Sequence, residues 1–155
     1  MTPESEIGEQ PRLPVAKLPV AAGIVALIGL VDSTYLTVKH YTVEPVPCSI
    51  IDGCEQVLSS QWAEIGGIPL AAFGAAAYLV AFVLAMLAAF RKSPAWTLFG
   101  VQSILMAAVS IWLIYVQAAL IGAFCQFCLL SATTSITLYV IYLVSRFLPT
   151  SKASV

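Results

Sequence analysis

The sequence predicts an all-α polytopic membrane protein: a bundle of four transmembrane helices with an outer loop that bears a short amphipathic helix. Three observations carry that expectation. Hydrophobic residues make up 60% of the 155 positions and charged ones 10%, against about half and about a quarter in an ordinary soluble domain. The acids stop at Glu64, after which the only charged residues are Arg91, Lys92, Arg146 and Lys152. Four apolar stretches, about 18–41, 68–90, 95–120 and 124–148, each reach the roughly 20 residues a helix needs to cross about 30 Å of hydrocarbon. Single runs of this length satisfy their own backbone in lipid only as helices, and the alternating ten-residue pattern of an outer-membrane barrel is absent. A net charge of −1 gives no support to nucleic-acid binding.

The first stretch follows an acidic tail with Glu4, Glu6 and Glu9. It is longer than the apolar region of a signal peptide and lacks a small-x-small cleavage site, so it reads as a retained helix. Basic residues then set the orientation. Arg12 and Lys17 precede the first span, Arg91 and Lys92 join the second to the third, and Arg146 and Lys152 close the fourth, with only Lys39 on the other side. The positive-inside rule makes both termini cytoplasmic. The tails 1–17 and 149–155 then flank one membrane domain, 18–148. Its outer side holds the loop 42–67, the short turn near 121–123 and all four cysteines.

The loop has internal order. Pro45 and Pro47 extend the approach to Cys48, and Asp52-Gly53 is a turn signal before Cys54. Residues 54–64 suit a short amphipathic helix with Val57, Leu58, Trp62 and Ile65 on its apolar side, lying at the interface as a lid. Gly66-Gly67 ends it, and Pro69 falls in the first turn of the second span, where a missing N–H costs least. That span is rich in small residues from Ala71 to Ala77, which permits close helix packing.

The cysteines carry the chemistry. The fourth span opens Phe124-Cys125-Gln126-Phe127-Cys128. A C-x-x-C at a helix N-terminus has its thiolate stabilised by the helix dipole and free N–H groups, and the short spacing lets a disulfide close and reopen. Zinc would want a second C-x-x-C or histidines, and His40 is the only histidine. Cys48 and Cys54 form a wider pair in the loop. As a static staple, a ring this small stabilises by only about 2 kcal/mol, little beside the burial of four membrane helices. A loop pair facing a helix-end pair suits thiol–disulfide relay through a mixed disulfide, and an oxidising, outward compartment is where such pairs persist. No haem, flavin, iron–sulfur or nucleotide motif is present to take the electrons on. A two-electron acceptor dissolved in the membrane remains, and a quinone beside Cys128 fits.

These residues resemble the vitamin K epoxide reductase family over about 18–148. The likeness rests on Asp32-Ser33-Thr34-Tyr35-Leu36 with His40, the C-x5-C of the loop, Val57 to Trp62, Gly67-Ile68-Pro69-Leu70, and Cys125-x-x-Cys128. The wider pair precedes the C-x-x-C, the reverse of the order in DsbB-type quinone reductases. The resemblance implies that Cys125 and Cys128 are the active-site pair, with Cys128 nearest the quinone (ubiquinone, or menaquinone of the vitamin K type). It implies that Cys48 takes electrons from a thioredoxin-like or DsbA-like thiol protein and that Cys54 passes them to Cys125. Ser60 matches the family's hydroxyl near the quinone, and Trp62 its neighbouring aromatic. Ala132 stands where the vertebrate enzymes carry a tyrosine, and the loop after Trp62 is shorter and lacks their asparagine. Both departures point away from epoxide reduction and toward disulfide formation outside the cytoplasm, in a prokaryotic inner or plasma membrane. The family's fused thioredoxin-like domain is not in this sequence, so the expected partner is a separate protein.

Three further residues are candidates for the quinone site. Asp32, an intramembrane acid, serves either proton delivery to the quinone or a hydrogen bond within the bundle. Phe124 and Phe127 flank the reactive sulfurs and either wall the ring pocket or pack the core. His40 and the other aromatics read as interfacial or core residues. Two rival functions stand beside the quinone-reducing thiol-disulfide oxidoreductase: a reductase of quinone epoxide, and a non-enzymatic membrane scaffold with structural disulfides.

Overall fold

The computed structural model describes residues 17–48, 50, 53–90 and 93–147. The tails, Asp52, and the basic residues Arg12, Arg91, Lys92 and Lys152 used for the orientation lie outside the described residues. The chain runs α1 (Lys17–Thr42), α2 (Cys54–Leu58), β1 (Glu64–Ile65), β2 (Ile68–Pro69), α3 (Leu70–Ala89), α4 (Ser93–Tyr115) and α5 (Gln126–Phe147). Four of these helices are long and apolar enough to cross a membrane, and the fold is all-α as the composition implies. α4 continues into a wider π-helical turn, Val116–Ile121, that stops at Gly122 in the left-handed conformation.

The spans pack in a ring. α1 lies against α3 and α5, and α4 lies against the same two on the far side. Between α1 and α3 the contact is made by alanines: Ala22 and Ala26 face Ala81 and Ala85, all at 0% exposure. Small side chains let the backbones approach, and packing of this kind replaces the hydrophobic drive that lipid removes. The opposite faces of all four helices carry exposed Leu, Ile and Val side chains, as a lipid-facing surface requires.

A polar tie crosses the ring. Tyr78 on α3 is buried, and its hydroxyl lies 2.6 Å from the Ser131 carbonyl and 2.8 Å from Ser135 Oγ on α5. A second tie links Trp96 Nε1 to Ser145 Oγ at 2.9 Å, with Trp96 stacked on Phe99.

The outer loop departs from the expected pattern. The helix expected over 54–64 ends at Leu58, because the chain turns at Ser59. Residues 64–69 form a two-stranded hairpin instead, with Ile65 opposite Ile68. Gly66 and Gly67 both have positive φ, 62° and 82°, which a two-residue turn of this hand requires. They are therefore the turn of the hairpin and not the end of a helix. Pro69 closes β2 and caps α3 from an extended conformation, ψ 137°, so it precedes the helix it was expected to start.

Tyr78→Phe removes the hydroxyl and leaves the serine groups of α5 unpaired. The variant should unfold about 1 kcal/mol more easily, in the range found for interhelical hydrogen bonds in membranes, as read by denaturant titration in detergent. An unchanged midpoint would show that the tie contributes nothing to the bundle.

Candidate active site

The two cysteine pairs meet at one end of the bundle. Gly53 packs against the backbone of the turn before α5, and a Cβ there would lie 2.6 Å from the Phe124 carbonyl oxygen and 2.8 Å from its nitrogen. No side chain fits, so the glycine sets how near the loop can come. Its carbonyl also accepts the Val57 N–H at 3.2 Å and starts α2. Cys54 follows at 1% exposure, packed in a cluster with Val57, Ala123 and Cys125, with Cys48 and Cys128 at its edge. A second strap crosses the same gap, where the Ile50 N–H donates to Gln126 Oε1 at 3.2 Å.

The pairs differ in redox state. Cys48 and Cys54 form a disulfide, with Cys48 the more exposed of the two, while Cys125 and Cys128 are thiols. Cys125 occupies the cap position of α5: its carbonyl accepts the Leu129 N–H at 3.0 Å, and its sulfur accepts the Cys128 N–H at 3.4 Å. The hydrogen bond from the Cys128 thiol, with backbone N–H groups of the first turn adding to it, outweighs burial. Together they hold the Cys125 thiol down at about 7, below the usual range.

Gln117 was not singled out in the sequence. It is 4% exposed in the π-helical turn, and its Oε1 accepts the Cys125 N–H at 2.9 Å. Its carbonyl receives the Gly122 and Ala123 N–H groups. One side chain and one carbonyl thus fix the strand that presents Cys125. A glutamine at the end of an otherwise apolar run was the signal available, and widened turns of this kind recur at functional sites.

Beneath the cysteines lies a cavity of about 390 Å³ enclosed by the four spans and roofed by the loop, with Cys128 in its wall. Ser60 and Trp62 line it, as does Ala132. Ser60 Oγ donates to the Val57 carbonyl at 2.7 Å, and Trp62 meets Trp112 of α4 edge-on at 5.7 Å. His40 also lines it, with Nε2 3.2 Å from Glu64 Oε1, which joins the hairpin to α1. The other three candidates do not line this cavity. Asp32 and Phe127 lie along a shallow apolar groove on the outer α1–α5 face, where the Tyr35 and Phe127 rings meet at 5.4 Å, tilted by 39°. Phe124 is 38% exposed and lines neither. The reason is helical rotation: the turn that aims Cys128 inward aims Phe127, one residue earlier, about 100° away.

Two cysteine pairs gathered at the end of a four-span bundle, above a cavity bounded by one of their sulfurs, mark a membrane oxidoreductase. The chain belongs to the vitamin K epoxide reductase family, whose model matches residues 20–143. It is also 29% identical over 119 residues to "Thiol-disulfide oxidoreductase LTO1" of Arabidopsis thaliana, a match that covers 71% of this chain and 32% of that relative. The chain therefore corresponds to about a third of that protein's length.

Two outcomes test this geometry. Gly53→Val should push the loop from the 122–125 turn and slow exchange between the pairs roughly ten- to hundred-fold, the scale of a misplaced reacting group. Single-turnover trapping with an alkylating agent reads it, and an unchanged rate would remove the close approach from the mechanism. Because Cys125 ionises below the usual range, its alkylation by iodoacetamide should climb through about pH 7. A climb confined to the ordinary thiol range near pH 8.5 would contradict the capping account.

Proposed function

We propose that this protein is a quinone-reducing thiol-disulfide oxidoreductase of the membrane, which oxidises a thioredoxin-like or DsbA-like thiol protein and so promotes disulfide formation outside the cytoplasm. The observation that carries the reading is the contact of Cys54 with Cys125 above a cavity into which Cys128 faces. Cys48, the more exposed loop sulfur, is the one a partner thiolate reaches. Attack there breaks the loop disulfide and releases Cys54 as the group that turns on Cys125. A second thiol of the partner displaces Cys48, and the partner leaves with its own disulfide. Cys54 then attacks the Cys125 sulfur of a Cys125–Cys128 disulfide and expels Cys128. The Cys48 thiolate displaces Cys125 from Cys54, so the loop disulfide recloses and the C-x-x-C pair is left as a dithiol.

The cavity suits a flat ring with a long tail. Its walls are mainly apolar, and its volume lies in the range of small-molecule sites. A quinone bound there supplies a two-electron sink within reach of the Cys128 sulfur. Ser60, held by Val57, fixes one polar point at its rim, and Trp62 braced by Trp112 fixes one flat face. Ala132 offers no hydroxyl for an epoxide oxygen, which favours the quinone itself over its epoxide. In this reading both termini are cytoplasmic and the cysteine end faces outward, as the basic residues predict.

Cys128→Ala should abolish quinone reduction by the reduced thiol partner, leaving less than about 1% of wild-type turnover, in line with loss of a nucleophile that nothing else replaces. The assay follows quinone absorbance in detergent. Full turnover in the variant would end the proposal.

A further inference from the structure

Reducing a quinone to a quinol takes two protons as well as two electrons, and the thiols account for the electrons. Among the described residues, three titratable side chains line the cavity: His40, Tyr78 and Cys128. Cys128 is the sulfur assigned to the acceptor. The Tyr78 hydroxyl is committed to the Ser131 carbonyl and to Ser135, and the Ser60 hydroxyl in the roof is committed to Val57. His40 combines a place in the wall with a link to the surface. Its Nε2 lies 3.2 Å from Glu64 Oε1, and the Glu64 side chain is 48% exposed.

The fold places this link. His40 lies in the last turn of α1, and Glu64 opens β1, where the hairpin sets it opposite Pro69. The other groups around His40 leave the route open. Tyr41 meets its ring edge-on at 5.7 Å, and Lys39 is bonded to Glu44. To the cavity wall α3 brings Tyr78 and α5 brings Cys128, while α4 brings no titratable residue. An imidazole tied to a carboxylate through one nitrogen keeps a second for another partner, and it is the side chain whose charge changes nearest neutrality.

We infer that His40 is the proton donor to the bound quinone and that Glu64 reloads it from water at the cysteine end. The inference rests on the quinone reduction proposed above and supplies its proton path. As the C-x-x-C pair closes, the Cys125–Cys128 bond forms, two electrons pass to the ring, and each ring oxygen ends with a proton. One of those protons is that of the Cys128 thiol. The other comes from His40, whose N–H bond breaks as the O–H bond forms. Cys125 reacts as a thiolate, so its own proton has already gone to water, and the proton entering through Glu64 replaces it. Two thiol protons are lost and two quinol protons gained, with no further oxidant or acid.

The test uses the full chain, reduced and freed of reductant, in detergent. A short-tailed ubiquinone is added, and its absorbance follows the first turnover with no thiol partner present. His40→Gln keeps a donor for Glu64 but carries no acidic proton, and should slow that turnover about a hundred-fold. Glu64→Gln keeps an acceptor for the imidazole and should slow it by less. In both variants Cys125 should react with iodoacetamide as in wild type, because its hydrogen bonds involve neither residue. Wild-type turnover in the His40 variant would overturn the proposal. So would an equal fall in turnover and alkylation, which marks a distorted site.

Wild type alone gives a further check. Its turnover rate is divided by the thiolate fraction of Cys125, read by alkylation over the same pH range. The quotient should fall as rising pH strips the imidazole of its proton, and His40→Gln should lose that fall. A flat quotient in wild type overturns the proposal however the variants fold. Two failures stay distinct. If wild type passes no electrons to the quinone, the acceptor assigned above is refuted and this inference with it. If wild type reduces the quinone and the His40 variant does so equally, the proton path alone is refuted.

Discussion

Everything reactive in this protein depends on how closely two backbones approach at one end of the bundle. Gly53 and the Phe124 peptide occupy space that any side chain would claim. That contact brings Cys54 into the same buried cluster as Cys125. The Ile50 to Gln126 hydrogen bond and the packing of Val57 on Ala123 are modest interactions, each worth about 1 kcal/mol or less when partly exposed. A relay needs this balance. Under the proposed function, the loop lies near enough for sulfur to meet sulfur and is held by modest contacts.

The four spans supply the rigid side of that arrangement. Alanine contacts between α1 and α3 and the Tyr78 tie from α3 to α5 hold three of the spans together. The π-helical turn at the end of α4 then places Gln117 under Cys125. A regular α-helix would carry its carbonyls along the axis and leave the strand 122–125 without an acceptor. Widening the last turn frees the Gln117 carbonyl for two N–H groups and its side chain for a third. The C-x-x-C is thereby presented from a fixed platform, while its partner pair rides on a loop.

How much of this was readable in the residues follows from what each signal encodes. Apolar runs of about 20 residues encode length, and they gave four spans because a hydrocarbon core imposes that length on any helix. They do not encode rotation. Membrane spans are apolar on every side, so no stripe announces which face turns inward. That is why Asp32, Phe124 and Phe127 read as neighbours of the cavity holding Cys128, although helical rotation turns Asp32 and Phe127 to the outer groove and Phe124 lies in the turn before α5. Ser60 and Trp62 were legible through family resemblance, since the positions of a roof are set by its fold and not by periodicity. The hairpin at 64–69 was missed for a local reason: Gly66-Gly67 serves equally as the end of a helix and as a tight turn, and only pairing of Ile65 with Ile68 distinguishes them. Gln117 was missed because a single polar residue in a span has many uses.

The roof has a consequence for how the two halves of the reaction are linked. α2 begins at Cys54, and within eight residues the same segment supplies Val57, Leu58, Ser60 and Trp62 to the cavity wall. Ser60 is bonded back to Val57, and Trp62 rests on Trp112. The segment therefore moves as a unit, hinged at the Gly53 contact on one side and tied by the Glu64–His40 pair on the other. Any displacement that carries Cys54 away from Cys125 also shifts Ser60 and Trp62 relative to Cys128. The loop disulfide, which joins Cys54 to the exposed Cys48, shortens the range of such movement while it is closed. The loop disulfide and the cavity wall thus belong to one short segment of chain.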